Sequence, residues 1–235
     1  MTKAVKEKVL YQLNFLKSIG YDYHGMLKLS NQEVNSSMLP NNMYELKNLV
    51  ENCYLCELSK TRKNILFGEG NLNASLMLIF DEPTSTEDEL KSFFVGKTGE
   101  QLSKMIENVL PLKKEDVYIT TLVKCKSSNG MDASSYNSCS TYLHKQIDLI
   151  NPKLIVTFGE KAYQFLCNDT SSLNQVRGQI MSFKNYKLVP THSVSYLLRN
   201  PSSKKEAYYD MLKIKSILEL NWKILYLFYA HFFYL

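Results

Sequence analysis

The sequence lacks the features that mark secreted and membrane-spanning proteins. Its first twenty residues, MTKAVKEKVLYQLNFLKSIG, contain neither the apolar core nor the small-residue cleavage site of a secretory signal. The longest apolar run, NWKILYLFYAHFFYL at residues 221–235, is shorter than the ~20 residues that a bilayer span requires. We therefore expect an intracellular, cytoplasmic protein with no membrane span.

Cysteine is also scarce, with five in 235 residues. In an intracellular protein they are expected to be reduced or metal-bound rather than paired in disulfides. Cys53 and Cys56 form a C-x2-C pair, and Cys139 follows Cys125 after thirteen intervening residues. Four thiolates suit zinc or a cubane iron–sulfur cluster equally well by number, although the second pair is too widely spaced for a zinc ribbon. Cys167 has no partner in this pattern and is predicted to be a buried core thiol.

The charge is unevenly distributed along the chain. Residues 1–112 carry 12 Lys or Arg and 14 Asp or Glu, a net charge of −2, whereas residues 113–215 carry 15 and 8, a net charge of +7. A basic later half is a modest indication of a polyanionic partner such as nucleic acid.

From residue 75 onward, short apolar segments rich in β-branched residues alternate with helix-like stretches. This alternation predicts an α/β fold, a three-layer α/β/α sandwich with a central four-stranded parallel sheet. The predicted strands are 75–80, 117–123, 154–158 and 187–191, and the predicted helices are 98–109, 134–149, 159–167 and 202–219. An amphipathic helix is also predicted over residues 4–18.

Polar residues follow each predicted strand, where ligands bind in parallel sheets. Right-handed crossovers place the carboxyl ends of all four strands at one edge. The residues that follow the strands include Asp81, Glu82, Glu87, Cys125 and His192. Two or more acids, a cysteine and a histidine at one edge predict a functional site there.

Several ordered segments then resemble one known family. They are FFVGKTG at 93–99, VYITTLVKC at 117–125, NPKLIVTFGEKA at 151–162, the Arg177-Gly178 pair and HSVSYLLR at 192–199. Together with the cysteines, they resemble the family 4 uracil-DNA glycosylases, the thermostable, iron–sulfur branch of that superfamily. The resemblance covers roughly residues 50–218.

The resemblance implies a cofactor and a partner. The family holds a [4Fe-4S] cluster through four cysteines, which match Cys53, Cys56, Cys125 and Cys139 here. It implies DNA containing uracil or a related deaminated base as the substrate, and base flipping with hydrolysis of the N-glycosidic bond as the reaction. We expect a monomer.

The resemblance also implies roles for individual residues. His192 matches the histidine that faces the uracil oxygen, Asp81 takes the place of a catalytic glutamate that positions water, and Glu87 matches a second acid. Substrate-binding roles fall on Glu82, Thr121 and Phe94, with Phe94 as the aromatic that stacks on the base. DNA-binding roles fall on Ser193, Leu198 and Arg199.

The sequence departs from the family pattern within these motifs. Where the family reads G-E-x-P-G, this chain reads Phe80-Asp81-Glu82-Pro83-Thr84, so both glycines are lost. Thr121 replaces an asparagine whose amide can donate and accept at once. Ser193 replaces a proline.

Two main interpretations follow from these departures. In the first, the chain is an active glycosylase with a diverged pocket. In the second, it is a catalytically weakened or inactive iron–sulfur DNA-binding protein of the same fold. A zinc-bound structural module is a third. We expect an N-terminal helical extension at 1–45, the glycosylase-like domain with its cluster at 46–220, and an apolar aromatic tail at 221–235.

Overall fold

A single twisted sheet forms the centre of the protein. The computed structural model describes residues 39–110, 112–128 and 130–233, with backbone alone for 220–233. Within these residues the strands are β1 (Glu69–Gly70), β2 (Leu76–Phe80), β3 (Tyr118–Thr121), β4 (Leu154–Phe158), β5 (Met181–Phe183) and β6 (Tyr186–Thr191). They lie in the order β1-β3-β2-β4-β6-β5.

The four predicted strands are confirmed as a parallel core of this sheet. β3, β2, β4 and β6 pair in parallel. The sheet is nevertheless mixed, since β1 and β5 add antiparallel edges. These edges were not predicted because runs of two and three residues carry no detectable alternation of apolar and polar residues.

The helices cover both faces of the sheet, as predicted. In chain order they are α1 (Met43–Glu51), α2 (Ser85–Leu90), α3 (Gly96–Val109), α4 (Ala133–Ile150), α5 (Glu160–Cys167), α6 (Leu173–Val176), α7 (Val194–Arg199) and α8 (Lys204–Phe233). Short 3-10 turns occupy Glu57–Lys60, Lys114–Asp116 and Pro201–Ser203. The helix predicted over 4–18 lies outside the described residues, and α8 runs across the boundary predicted at 220.

Alternation along the strands creates two apolar cores. On one face, Leu78 and Val156 pack with residues of α3 and α8 such as Ile106 and Ile214. On the other face, side chains of the strands pack with α4 and α5. Cys167, at the end of α5, packs against this second core as predicted, but it is partly rather than completely buried.

The strand registers bring four residues into one row at the carboxyl edge. Thr121 pairs with Phe80, Phe80 with Phe158, and Phe158 with Thr191. The segments that follow this row carry the predicted site residues. No helix in the described part of the chain combines the length and apolar character that crossing a membrane requires.

Candidate active site

A cleft of 370 Å³ opens at the carboxyl edge of the sheet. Its wall combines the segment after β2, the start of α3, Phe158 at the end of β4 and the start of α7. The rings of Phe80 and Phe158 stack at its base, with centroids 4.7 Å apart. The lining side chains that carry charge are Asp81, Glu82, Glu87, Lys126 and Arg199. The sheet edge therefore gathers acids, cations and an aromatic floor in one cleft.

Asp81 has the most unusual environment of these acids. Its Oδ1 atom is buried, and no hydrogen-bond partner for it lies among the described residues. Burial raises the pKa of Asp81 to about 6, although the backbone N–H of Ala162 and the charge of Lys161 act in the opposite direction. The carboxylate thus remains charged at neutral pH in a place where it is poorly solvated, which is typical of a reactive group.

Gly159 is the residue that allows Asp81 to sit there. It caps α5 with φ of 110°, a backbone region that favours glycine. A Cβ atom at this position would lie 3.3 Å from Oδ1 of Asp81 and 3.4 Å from Cβ of Ser193. Because Gly159 has no side chain, the segment that carries Asp81 and the segment that carries Ser193 can both approach it closely.

The other two predicted acids already have partners. Oε1 of Glu82 accepts from Nζ of Lys126 at 2.9 Å, and its Oε2 accepts from the hydroxyl of Ser127. Oε2 of Glu87 accepts from the backbone N–H of Thr84 at 2.8 Å. Burial raises the pKa of Glu87, although hydrogen bonding with Thr84 acts in the opposite direction. Both acids shape the cleft, and Asp81 is the one with an unpartnered oxygen.

His192 lies beside the cleft rather than in its lining. It borders an adjoining hollow of 270 Å³ together with Gly159, Ser193 and Tyr196. Its ring is 5% exposed, and its Nε2 atom lies 3.1 Å from Oε2 of Glu206. Ser193, the residue after His192, lines both spaces. The hollow that His192 borders is therefore directly next to the cleft that Asp81 lines.

Two predicted substrate-binding residues lie elsewhere. Phe94 lines a separate hollow with Ser92 and Lys114, whose Nζ atom is 6.0 Å from the centroid of the ring. Thr121 is fully buried, and its hydroxyl has no hydrogen-bond partner among the described residues. Neither residue lines the cleft beside Asp81.

The four predicted cluster cysteines line one small hollow. Cys53 and Cys56 follow α1, Cys125 follows β3, and Cys139 lies within α4. α1 packs on α4 through Leu46 and Tyr142, which brings the two halves of the set together. In the described part of the chain, no three His, Cys, Asp or Glu side chains are grouped closely enough to hold a single metal ion.

An arginine and a buried lysine border this hollow. Arg62 donates from Nη1 to the carbonyl oxygen of Cys53 at 2.8 Å and to Sγ of Cys125 at 3.4 Å. Lys124 also lines the hollow, and burial lowers the pKa of its ammonium group to about 7. Burial raises the pKa of Cys139 to about 11, so the free thiol is protonated at neutral pH.

The sequence was compared with family models and with known proteins. A family model described as the uracil DNA glycosylase superfamily matches residues 67–213. A type-4 uracil-DNA glycosylase from Saccharolobus solfataricus is 36% identical over 72% of this chain and 83% of its own length. The chain belongs to the type-4 uracil-DNA glycosylases. Enzymes of the same name from Sulfurisphaera tokodaii and Thermotoga maritima are each 33% identical, over 74% and 72% of this chain and 83% and 91% of their own lengths.

Two of the departures from the type-4 pattern serve as helix caps. Thr84 and Glu87 form a reciprocal capping box at the start of α2. The hydroxyl of Ser193 accepts from the backbone N–H of Tyr196 at 3.2 Å and caps α7. Such caps typically contribute ~1 kcal/mol each. The lost glycine and proline were therefore replaced by residues that anchor the two segments flanking the cleft.

The structure also brings in residues that the type-4 motifs do not mark. Glu206 contacts His192, Lys126 pairs with Glu82, and Asp210 pairs with Arg177. Glu206 and Asp210 lie on α8, where a charge every few residues is typical of any exposed helix, so no motif or spacing marks them. Leu198 is partly buried on α7, and Arg199 is exposed at the rim of the cleft.

Proposed function

We propose that this protein removes uracil, or a related deaminated base, from DNA by hydrolysing the N-glycosidic bond. The observation that carries the proposal is the buried, unpartnered carboxylate oxygen of Asp81 in a cleft that is also lined by Lys126 and Arg199. The type-4 enzymes that resemble this chain bear the name of that activity. Arg199, which is exposed at the rim, suits a phosphate of a flipped nucleotide.

Asp81, His192 and Arg199 have separate roles in the proposed reaction. As the bond to the base breaks, the sugar gains positive charge and the base leaves as an anion. The carboxylate of Asp81, ionised above about pH 6, holds a water and faces the developing positive charge. His192, in the adjoining hollow, stabilises the departing anion. Arg199, at the rim, contacts the DNA backbone.

We also propose that Cys53, Cys56, Cys125 and Cys139 hold a [4Fe-4S] cluster. The four thiols line one hollow, and the spacing of Cys125 and Cys139 along the chain is too wide for a zinc ribbon. When bound, the cluster supplies a structural link between the segment after α1 and the segment between β3 and α4. Arg62, which donates to Sγ of Cys125, would offset part of its negative charge.

A second candidate is a protein that binds DNA without hydrolysis. It is favoured by Phe80, whose ring stacks in the cleft where the type-4 pattern has glycine, and by the buried position of Thr121. Such a protein would keep the cluster and bind DNA, while the ring of Phe80 occupies part of the cleft.

An excision assay separates the two candidates. Single-stranded oligonucleotides containing uracil, hypoxanthine or thymine are incubated with anaerobically purified protein and then treated with alkali, while binding is measured in parallel. We expect strand breaks at uracil. Tight binding with no break at any of the three bases would favour the second candidate.

Replacing His192 by alanine is expected to slow uracil excision by ~10²–10³-fold, because the departing anion loses a positioned donor. DNA affinity should change little, since the imidazole is nearly buried and makes no phosphate contact in this scheme. Single-turnover kinetics and a binding titration measure the two quantities. An alanine variant as fast as the wild type would remove His192 from the mechanism.

A further inference from the structure

A groove with an apolar floor lies beside the active-site cleft. It has a volume of 220 Å³ and is formed by α3, α7 and the first turns of α8. Its floor consists of buried side chains, which are Met105, Leu197, Ala207 and Met211. None of the residues proposed for catalysis or for the cluster lines it, so the proposed reaction leaves this groove without a role.

The rim of the groove combines an aromatic ring with two cations. Tyr208 is 50% exposed there, so much of its ring is accessible to a ligand. Lys104 on α3 and Lys204 on α8 are exposed and supply all the charge among the described residues that line the groove. Neither lysine has an ion-pair partner in the described part of the chain. Accessible aromatic rings and unpaired cations are the groups with which proteins hold single-stranded nucleic acid.

The groove continues the cleft along the same two helices. On α3, Thr98 lines the cleft, whereas Gln101 and Lys104 line the groove. Residues three apart share one face of a helix, so this face of α3 extends from the cleft into the groove. On α7, Arg199 lines the cleft and Leu197 lines the groove.

The groove is also close enough to the cleft for one DNA strand to reach both. The rise along α3 from Thr98 to Lys104 is about 9 Å, at about 1.5 Å per residue. A strand with one nucleotide in the cleft covers that distance within about two further nucleotides, since stacked nucleotides rise by about 3.4 Å each and unstacked ones by more.

We propose that the groove binds an unstacked base of the DNA strand that flanks the flipped nucleotide. Tyr208 provides the stacking surface for this base, and Lys104 and Lys204 contact the phosphates beside it. The inference rests on the proposed function, which places DNA in the cleft. DNA is favoured over a peptide or a second copy of the chain because the groove continues the cleft and its charged groups are all positive.

Oligonucleotides that lack single bases test whether the groove holds a base. Each labelled single strand carries 2′-fluoro-deoxyuridine, whose glycosidic bond resists hydrolysis, and a tetrahydrofuran abasic residue at one flanking position in turn. The abasic residue keeps the phosphate and removes the base. Fluorescence anisotropy should show a loss of affinity of ~5–100-fold at one flanking position. Equal affinities for all the strands, or a wild type that binds no single-stranded DNA, would overturn the proposal.

Substitutions of Tyr208 connect that base to the groove. Tyr208→Ala should weaken binding of the intact strand by ~5–100-fold and should remove the effect of the missing base, whereas Tyr208→Phe should preserve both. Tyr209→Ala is the matched control, because Tyr209 is 54% exposed on the same helix but does not line the groove. Thermal unfolding verifies that each variant is folded. Wild-type affinity in Tyr208→Ala, or an equal loss in Tyr209→Ala, would contradict the assignment.

The salt dependence of binding tests the two lysines. Lys104→Gln and Lys204→Gln should each make the slope of log affinity against log salt concentration shallower by about 0.7. Lys187→Gln is the control, because Lys187 is exposed and pairs with the first residue of β4, at the opposite edge of the sheet. The same change of slope in all three variants would indicate a general effect of charge and would contradict phosphate contacts in the groove.

Excision and self-association are measured on the same proteins. If the wild type excises no uracil but its DNA binding depends on Tyr208, the proposed function fails and the assignment of the groove stands. If the wild type excises uracil and Tyr208→Ala binds DNA normally, the assignment fails and the proposed function stands. A dimer, detected by light scattering, that Tyr208→Ala dissociates without any change in DNA affinity would assign the groove to a second copy of the chain and overturn the proposal.

Discussion

Replacing Asp81 by asparagine is expected to reduce uracil excision by at least ~100-fold and, at pH 7.5, to make the protein more stable. The loss follows because an amide cannot carry the negative charge that faces the sugar in the transition state. The gain follows because burial raises the pKa of Asp81 to about 6 in the folded protein, against 3.8 for a freely solvated aspartate. Ionising the buried group above pH 6 therefore opposes folding by up to ~3 kcal/mol.

The sign of the stability effect sharpens this test. Because the folded state holds the proton more tightly, the contribution of Asp81 to stability falls as pH rises from about 4 to about 6 and stays low above it. Asp132→Asn is the matched control, since hydrogen bonds to Ser135 lower the pKa of Asp132 and cap α4. We expect that variant to remain active and to lose some stability. Urea unfolding at pH 7.5 and pH 5 measures both effects, and an Asp81→Asn protein less stable than the wild type at pH 7.5 would show that Asp81 is satisfied in the fold.

Replacing Cys139 by serine is expected to abolish the cluster and, with it, much of the fold. Cys139 lies on α4 and is the last of the four proposed ligands along the chain, so without it α1 and α4 would lose the proposed link through iron. We expect the anaerobically purified protein to lose its brown colour and its broad absorption near ~400 nm. Iron and acid-labile sulfide analysis, with the thermal unfolding midpoint, measure the loss.

Cys167→Ser provides the comparison for this experiment. Cys167 is also partly buried but lies at the end of α5, outside the hollow that the other four cysteines line. This variant should keep the colour and four irons per chain. A wild-type protein that is colourless and binds one zinc would reject the cluster, and a Cys139→Ser protein with a full iron content would remove Cys139 from the ligand set.

The sheet core could be predicted because each central strand is buried on both faces. Residues such as those of Leu154–Phe158 form an apolar run that no surface segment would tolerate. The antiparallel edge strands β1 and β5 are too short to show a periodic pattern of apolar residues. α2 is a capped helix of only six residues. Its signal, Thr84 followed three residues later by Glu87, was present in the sequence but lay inside a motif that was interpreted as catalytic.

The site could be predicted in part for a similar reason. Asp81 and His192 follow strands, so topology alone brings them to one edge of the sheet. Phe94 and Thr121 were assigned by matching positions, but Phe94 lines a separate hollow and Thr121 is buried at the end of β3. Glu206 reaches His192 only because α8 folds back along β6, and no local spacing indicates such a contact.

The central claim is that an ionised carboxylate at residue 81 drives base release, and the pH dependence of excision tests it most directly. Single-turnover rates on a uracil-containing single strand are measured from pH 5 to pH 8, with circular dichroism to verify folding throughout. We predict a rate that rises about tenfold per pH unit below about pH 6 and then levels off, and no such rise in the residual rate of Asp81→Asn. A wild-type rate that is flat across pH 6, or that rises toward acid, would contradict the account.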